Sequence, residues 1–235
     1  MTINVAHLYY DILNLYGESG NIKAIKNYLE KLGIKVNIHF ITLDDEISLD
    51  NIDLIYIGSG TENNQDLVLK HLLKYKEKIN SFIENNKYIL ATGNAMELFG
   101  KSIDKNKALG IFNYSTTRTD FRIVSESLFK SNLIKENILG FQNRGSYINN
   151  IDNYLFDTIK GTGSNIDMKK EGSNYKNFYG TYLIGPLLVR NPAFLKYLIN
   201  KLIKEKDKNF KINEINLDFE EKAYTNFVNL YYNSI

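Results

Sequence analysis

The chain has 235 residues, 43% of them hydrophobic, with 29 basic and 27 acidic side chains and a formal net charge of +2. That length and apolar content suffice for one substantial core, while balanced charge without a basic stripe argues against nucleic acid as a partner. The absence of cysteine excludes disulfides, thiolate metal sites and cysteine nucleophiles.

The N-terminal stretch MTINVAHLYYDILNLYG is strand-like and lacks the basic and apolar regions of a signal peptide. Residues 5–10 are read as a strand, 17–20 as a loop, and 21–31 as a helix stopped by Gly33, with Ile22, Ile25, Leu29 and Leu32 on one face. Strands are expected at 35–42 and 53–57, the second ending in Gly58-Ser59-Gly60. A long helix over 66–85 and a buried strand over 88–91 follow. Beyond it the chain turns through Thr92-Gly93-Asn94-Ala95 into a short apolar helix. Helices between short apolar strands predict a parallel sheet covered on both faces.

The second half reads as strands at 110–114, 121–127, 138–142 and 178–184 without intervening helices, which predicts antiparallel additions. A helix is expected from the Asn191 cap and Pro192 to about Lys206, and another from Asp218 to Tyr232. In the last helix, Phe219, Tyr224, Phe227, Leu230 and Tyr231 form an apolar stripe assigned to the core. Lys201 to Lys211, interleaved with Glu205 and Asp207, reads as a solvated face and a turn. With no repeat, linker or low-complexity tail, residues 1–235 are expected to be one domain.

The three histidines, His7, His39 and His71, are not spaced as a metal motif and are assigned to packing or surface. No metal or cofactor is expected. No apolar run approaches the roughly 20 residues that span a bilayer, so no membrane span is expected and the default location is cytoplasmic.

Ligands of open α/β sheets bind beyond the carboxyl ends of the strands, which directs attention to four loops. LYGESGNIKAI (15–25) matches neither the dinucleotide fingerprint nor the P-loop. In GSGTENNQ (58–65), Gly58 and Gly60 would let backbone N–H groups face an oxyanion. TGNAMELFG (92–100) has the form of a strand-to-helix nucleophile elbow with Gly93 at its tip. YGTYLIGPLLVRNP (179–192) is the fourth.

In this order and spacing, the loops resemble the glutaminase subunits of lipid II isoglutaminyl synthase, within the cobyric-acid-synthase-like class I glutamine amidotransferases. LYGESGN is similar to that family's LYGD-x-GN, GSGTENNQ to GGGQD-x-EQ, GFQNRGSY (140–147) to GFENH-x-G, and YGTYLIGPLLVRNP to YGTYLHGPLL-x-x-NP. The resemblance spans nearly the whole chain. It implies an α/β, flavodoxin-like fold with a parallel centre, antiparallel additions and helices on both faces. It also implies a partner, a Mur-ligase-like ATP-dependent synthetase that receives ammonia.

Such enzymes take ammonia from glutamine by thiolate attack on the side-chain amide, with a histidine moving the proton. Laid over the family's C-G-G-Y-Q-x-x-G, the nucleophile falls on Gly93, and the following Gly, Gly, Tyr and Gln fall on Asn94, Ala95, Met96 and Glu97. The family's catalytic histidine falls on Ile184, and that of its GFENH segment on Arg144. Thr61 and Asn64 replace the glutamine and the second acid of the glycine-rich loop. Thr92 precedes the tip and is expected to hydrogen-bond at the strand end.

The leading expectation is therefore a degenerate amidotransferase that docks on a synthetase, regulates it, or binds glutamine or another small amino acid. The alternative is an active enzyme with different chemistry in the inherited pocket, built from Asn94, Glu97, Arg122, Gln142 and Arg144. A third reading is that the elbow alignment is displaced. Within these, Glu97 is expected to face solvent or pair with a lysine. Arg122 falls near the family's ligand-binding arginine or makes a surface ion pair. Arg144 holds a carboxylate in a bidentate fork or points outward. Asn94 and Met96 are placed to fill the glutamine pocket.

Overall fold

Short runs of Val, Ile, Leu and Tyr alternate with amphipathic helices as far as Thr92. In the computed structural model, which describes residues 1–232, they form β1 (Thr2–Leu8), α1 (Ser19–Lys31), β2 (Lys35–Ile41), β3 (Leu54–Ile57), α2 (Glu62–Leu72), α3 (Lys76–Glu84) and β4 (Tyr88–Thr92). A 3₁₀ turn, Gly93–Phe99, follows. Then come β5 (Ser102–Ile103), β6 (Asn106–Lys107), β7 (Ser115–Ser131), β8 (Ile138–Asn149), β9 (Phe156–Lys160), β10 (Lys170–Glu171), β11 (Ser173–Tyr175), β12 (Phe178–Thr181), α4 (Leu187–Arg190), α5 (Pro192–Lys206) and α6 (Asp218–Tyr232).

The first sheet has the order β11-β12-β4-β3-β1-β2. All its pairs are parallel except β11 with β12. Because strand side chains alternate between faces, Val5, Leu54, Tyr56 and Leu90 pack against α1 and α5, while Ala6, Leu8, Ile55 and Ile57 pack against α2 and α3. β3 and β4 are buried throughout, as central parallel strands are.

The strands of the second half build a second sheet, order β10-β9-β7-β5-β6, with β8 also paired to β7. Among the described residues, β11 adds antiparallel to the first sheet, and the remaining antiparallel strands are gathered in the second. The two sheets touch at the bridge between Phe141 and Ile184, where Ile184 N–H donates to Phe141 O at 2.9 Å.

Several expected elements shift. The helix read over 66–85 starts earlier, because Thr61 caps it by accepting from Asn64 N–H at 3.2 Å. It then splits at a 3₁₀ turn, Leu73–Tyr75. The strand read at 110–114 is a loop in which the Gly110 amide is spent on the Gly100 carbonyl and those of Ile111 and Phe112 on the Phe99 carbonyl. Its apolar content serves packing, with Phe112 against Phe99 and Phe178. The stripe of α6 is corrected as well: Phe219 is 86% and Leu230 74% exposed, and Tyr231 is exposed too, whereas Tyr224 and Phe227, with Val228 and Tyr232, pack over Leu128 and Leu139.

Asn191 precedes Pro192 at the start of α5 as expected, but its side chain does not cap the helix. Its Oδ1 accepts from Leu139 N–H (2.8 Å), and its Nδ2 donates to Leu139 O (2.8 Å) and Leu187 O (2.9 Å), all buried. It thus pins β8 to the α4–α5 joint. Asn191→Ala strands both polar groups of Leu139 and is expected to cost about 2–3 kcal/mol in urea unfolding; a loss under about 0.5 kcal/mol, the level of an ordinary surface change, would contradict this account.

Candidate functional site

The carboxyl ends of β1, β3, β4 and β12 meet at one edge of the first sheet, with Ile57 level with Ala91 and Thr181 level with Thr92. The four loops singled out in the sequence leave from these ends. β4 turns at Gly93 with φ +61°, a left-handed conformation that favours glycine. An ideal Cβ built there would lie 3.0 Å from Ile184 Cγ2, so positions 93 and 184 face each other. The same Cβ would lie 2.4 Å from Ser59.

Two buried carboxylates stand around this turn. Glu18, inside LYGESGN, accepts from the Tyr56 hydroxyl at 2.9 Å, from the Thr92 hydroxyl, and from Gly185 N–H at 3.3 Å. Burial pushes its pKa up to about 7 against the pull of these donors. Thr92 itself is fully buried in this network, as its expected strand-end role requires. Glu97 is also buried, which corrects the expectation that it faces solvent or a lysine. Its carboxylate accepts from Gln65 Nε2 (2.7 Å), the Ser146 hydroxyl (2.5 Å) and the Tyr182 hydroxyl (2.8 Å). Burial raises its pKa, opposed by those three bonds and by the charge of Arg118.

The arginines sort differently from their sequence reading. Arg118, not singled out in TTRTDFR, reaches the cleft: it forks onto Asp66 (2.7 and 3.2 Å) and donates to Gln65 Oε1 at 2.7 Å. Arg122 lies at the rim, half-exposed, in an ion pair with Glu62 at 3.0 Å and bonded to Asn143 at 2.7 Å. Arg144 neither points outward nor presents a free fork. It is buried over the Tyr182 ring at 4.6 Å and donates to Gln142 Oε1 (2.8 Å), Ser146 O and Gly163 O (2.5 Å). Gln142, expected at the ligand, lies behind Arg144 and donates to Thr162 O at 2.7 Å.

The glycine-rich loop is similarly occupied. Gly60 N–H donates to Asn94 Oδ1 at 3.1 Å, and Asn94 Nδ2 donates back to Gly60 O at 2.9 Å. Gly58 packs away from the cleft: a Cβ there would meet Leu13 O at 2.4 Å. Met96, expected in the pocket, is buried in the core below the turn, where its Cγ would lie 2.8 Å from a Cβ on Gly180. The cavity left between Gly60, Gly93, Asn94, Glu97, Arg118 and Ile184 is about 20 Å³. That is enough for a water. The structure therefore brings Gly60, Gly93, Asn94, Glu97, Arg144 and Ile184 together, holds Arg122 at the mouth, and leaves Gly58 and Gln142 behind the lining.

Comparison with known proteins gives the chain's family and fold. Residues 4–192 match the CobB/CobQ-like glutamine amidotransferase domain. The chain is 32% identical over 226 residues to the glutamine-hydrolysing lipid II isoglutaminyl synthase subunit GatD of Staphylococcus aureus, covering 94% of this chain and 93% of that protein. It is 29% identical over 212 residues to the subunit of the same name from Streptococcus pneumoniae, covering 87% and 82%. Among solved structures, a glutamine amidotransferase from Thermotoga maritima superposes with TM-score 0.52 at 11% identity, over 97% of this chain and 94% of that one. A second glutamine amidotransferase superposes with TM-score 0.51 at 12% identity, over 83% and 98%. The chain has the α/β fold of class I glutamine amidotransferases and belongs to the CobB/CobQ-like glutamine amidotransferase family.

Proposed function

We propose that this chain is a glutaminase-like subunit, one domain over its whole length, that does not hydrolyse glutamine. In this reading it docks on and supports a Mur-ligase-like, ATP-dependent synthetase in the cytoplasmic amidation of cell-wall precursors. The observation that carries it is the pairing of Gly93 with Ile184 across the elbow, in a chain with no cysteine. Glycine cannot form a thioester and isoleucine cannot move a proton. In a protease triad the loss of the nucleophile alone costs about 10⁶ in kcat. The curated relatives are named as subunits of a synthase, which supports a synthetase partner for this chain too. Among the described residues no helix is long and apolar enough to cross a membrane.

The test is glutamate release from glutamine by the purified chain, alone and with a synthetase recovered by affinity capture of the tagged chain from native extract. Release is expected to stay at the blank in both, with a Mur-ligase-like ATPase in the captured complex. Release above the blank would require another nucleophile, and capture without any such ATPase would remove the docking role.

A further inference from the structure

The loss of the two reacting side chains is not the only change at this site. An ideal Cβ on Gly93 would lie 2.4 Å from both Cβ and Oγ of Ser59. A hydroxyl can rotate away, but a Cβ is fixed to its backbone, so the 58–60 loop itself would have to move. That loop is tied in place: Leu15 N–H donates to Ser59 O at 2.9 Å, and Gly58 packs on Leu13 O. On its cleft side it is gripped by Asn94, whose amide makes both bonds to Gly60, at 3.1 and 2.9 Å. A backbone N–H aimed into a cleft beside the elbow is the group that would stabilise an acyl oxyanion. Here it is spent on a neighbouring side chain.

We propose that Ser59 and Asn94 close the glutamine site independently of the missing nucleophile and base. Ser59 fills the space that a side chain at 93 needs, and Asn94 masks the oxyanion donor of Gly60. This rests on reading the site as an inherited glutaminase site. In the quoted pattern GGGQD-x-EQ, Ser59 stands at a glycine, and Asn94 stands at the glycine after the nucleophile. Restoring the thiol and imidazole alone would therefore place a thiol against Ser59, beside a masked donor. Positions 59 and 94 must therefore change along with 93 and 184 before a thiol at the elbow can attack glutamine.

The experiment compares Gly93→Cys/Ile184→His with the same pair plus Ser59→Gly and Asn94→Gly. The probe is 6-diazo-5-oxo-norleucine, a diazoketone analogue of glutamine, and intact mass spectrometry reads thiol alkylation. The quadruple variant is expected to label at least about tenfold faster, the scale of one recovered hydrogen bond, and glutamine should slow that labelling. Equal rates in the two variants would overturn the proposal. So would a quadruple variant whose thiol reacts with iodoacetamide but not with the diazoketone. Asn94→Gly alone in the natural chain tests the clasp without any reversion. Amide exchange at Gly60 should accelerate about tenfold by the same reasoning, and unchanged protection would overturn the clasp. These outcomes are separate from glutamate release by the natural chain, which bears on the proposed function alone.

Discussion

Raising the pH from 5 to 8 is expected to destabilise the chain by about 3 kcal/mol, an order-of-magnitude figure built from buried acids opposed by one buried histidine. Glu18 and Glu171 both shift from 4.5 to about 7, in each case chiefly through burial. Glu171 accepts from the Thr181 hydroxyl (2.7 Å) and Tyr182 N–H (2.8 Å), and the Arg144 charge further offsets its desolvation. Glu97 is raised in the same direction.

A carboxyl whose folded pKa exceeds its unfolded value binds its proton more tightly in the native state. Stability is then highest below about 4.5 and falls as pH rises to about 7, by roughly 3 kcal/mol for each fully expressed shift of this size. His7 acts oppositely. Burial lowers its pKa to about 4, so it disfavours the fold below 6.5 and offsets about 2 kcal/mol at pH 5. Urea unfolding at pH 5, 6.5 and 8 reads the net fall. In Glu18→Gln/Glu171→Gln the neutral amides should shrink the descending limb to the share of Glu97, set against the rise due to His7. A natural chain equally stable at all three pH values, or most stable at pH 8, would show that the hydrogen-bond donors around Glu18 and Glu171 outweigh desolvation.

The parallel half was largely legible because its signals are local. Each strand is a short apolar run, and α1 carries its buried stripe at helical spacing with Gly33 at its end. Even the split of the 66–85 helix is minor, since the buried positions Leu72, Ile79 and Ile83 keep the same face across the tight turn. The second sheet was less legible because β7 and β8 are long, partly exposed and joined by pairings with a register shift between Arg118 and Ile123. That irregularity is what sends Arg118 into the cleft and Arg122 to the rim, and TTRTDFR alone does not distinguish them. In the site, the elbow and its opposite number at 184 were readable from motif order. The burial of Glu97 was not, because its partners Gln65, Ser146 and Tyr182 come from distant segments. The contact between Ser59 and position 93 was invisible for a similar reason: glycine shows no side chain to meet, and the clash exists only when a Cβ is added.

That hidden contact has a stability signature of its own. Gly93→Ala should destabilise the chain by about 4 kcal/mol, from a left-handed backbone that costs a non-glycine residue roughly 1–3 kcal/mol and an overpacked contact that costs roughly 1–3 more. Ser59→Gly alone should cost about 1 kcal/mol, through loop entropy and the lost bond to Asn94 at 3.3 Å. In the double variant the Ser59 contact is gone, and the backbone cost and the 3.0 Å approach to Ile184 Cγ2 remain. The two changes should therefore be less destabilising together than their sum, by about 1–3 kcal/mol. Urea unfolding of the four proteins closes the cycle. Additivity within about 0.5 kcal/mol would mean that the 58–60 loop yields freely and that Ser59 does not guard the position. A coupling of the expected sign would make the order of changes asymmetric: with Ser59 in place any side chain at 93 meets the loop, so a nucleophile at 93 costs less once position 59 has lost its Cβ.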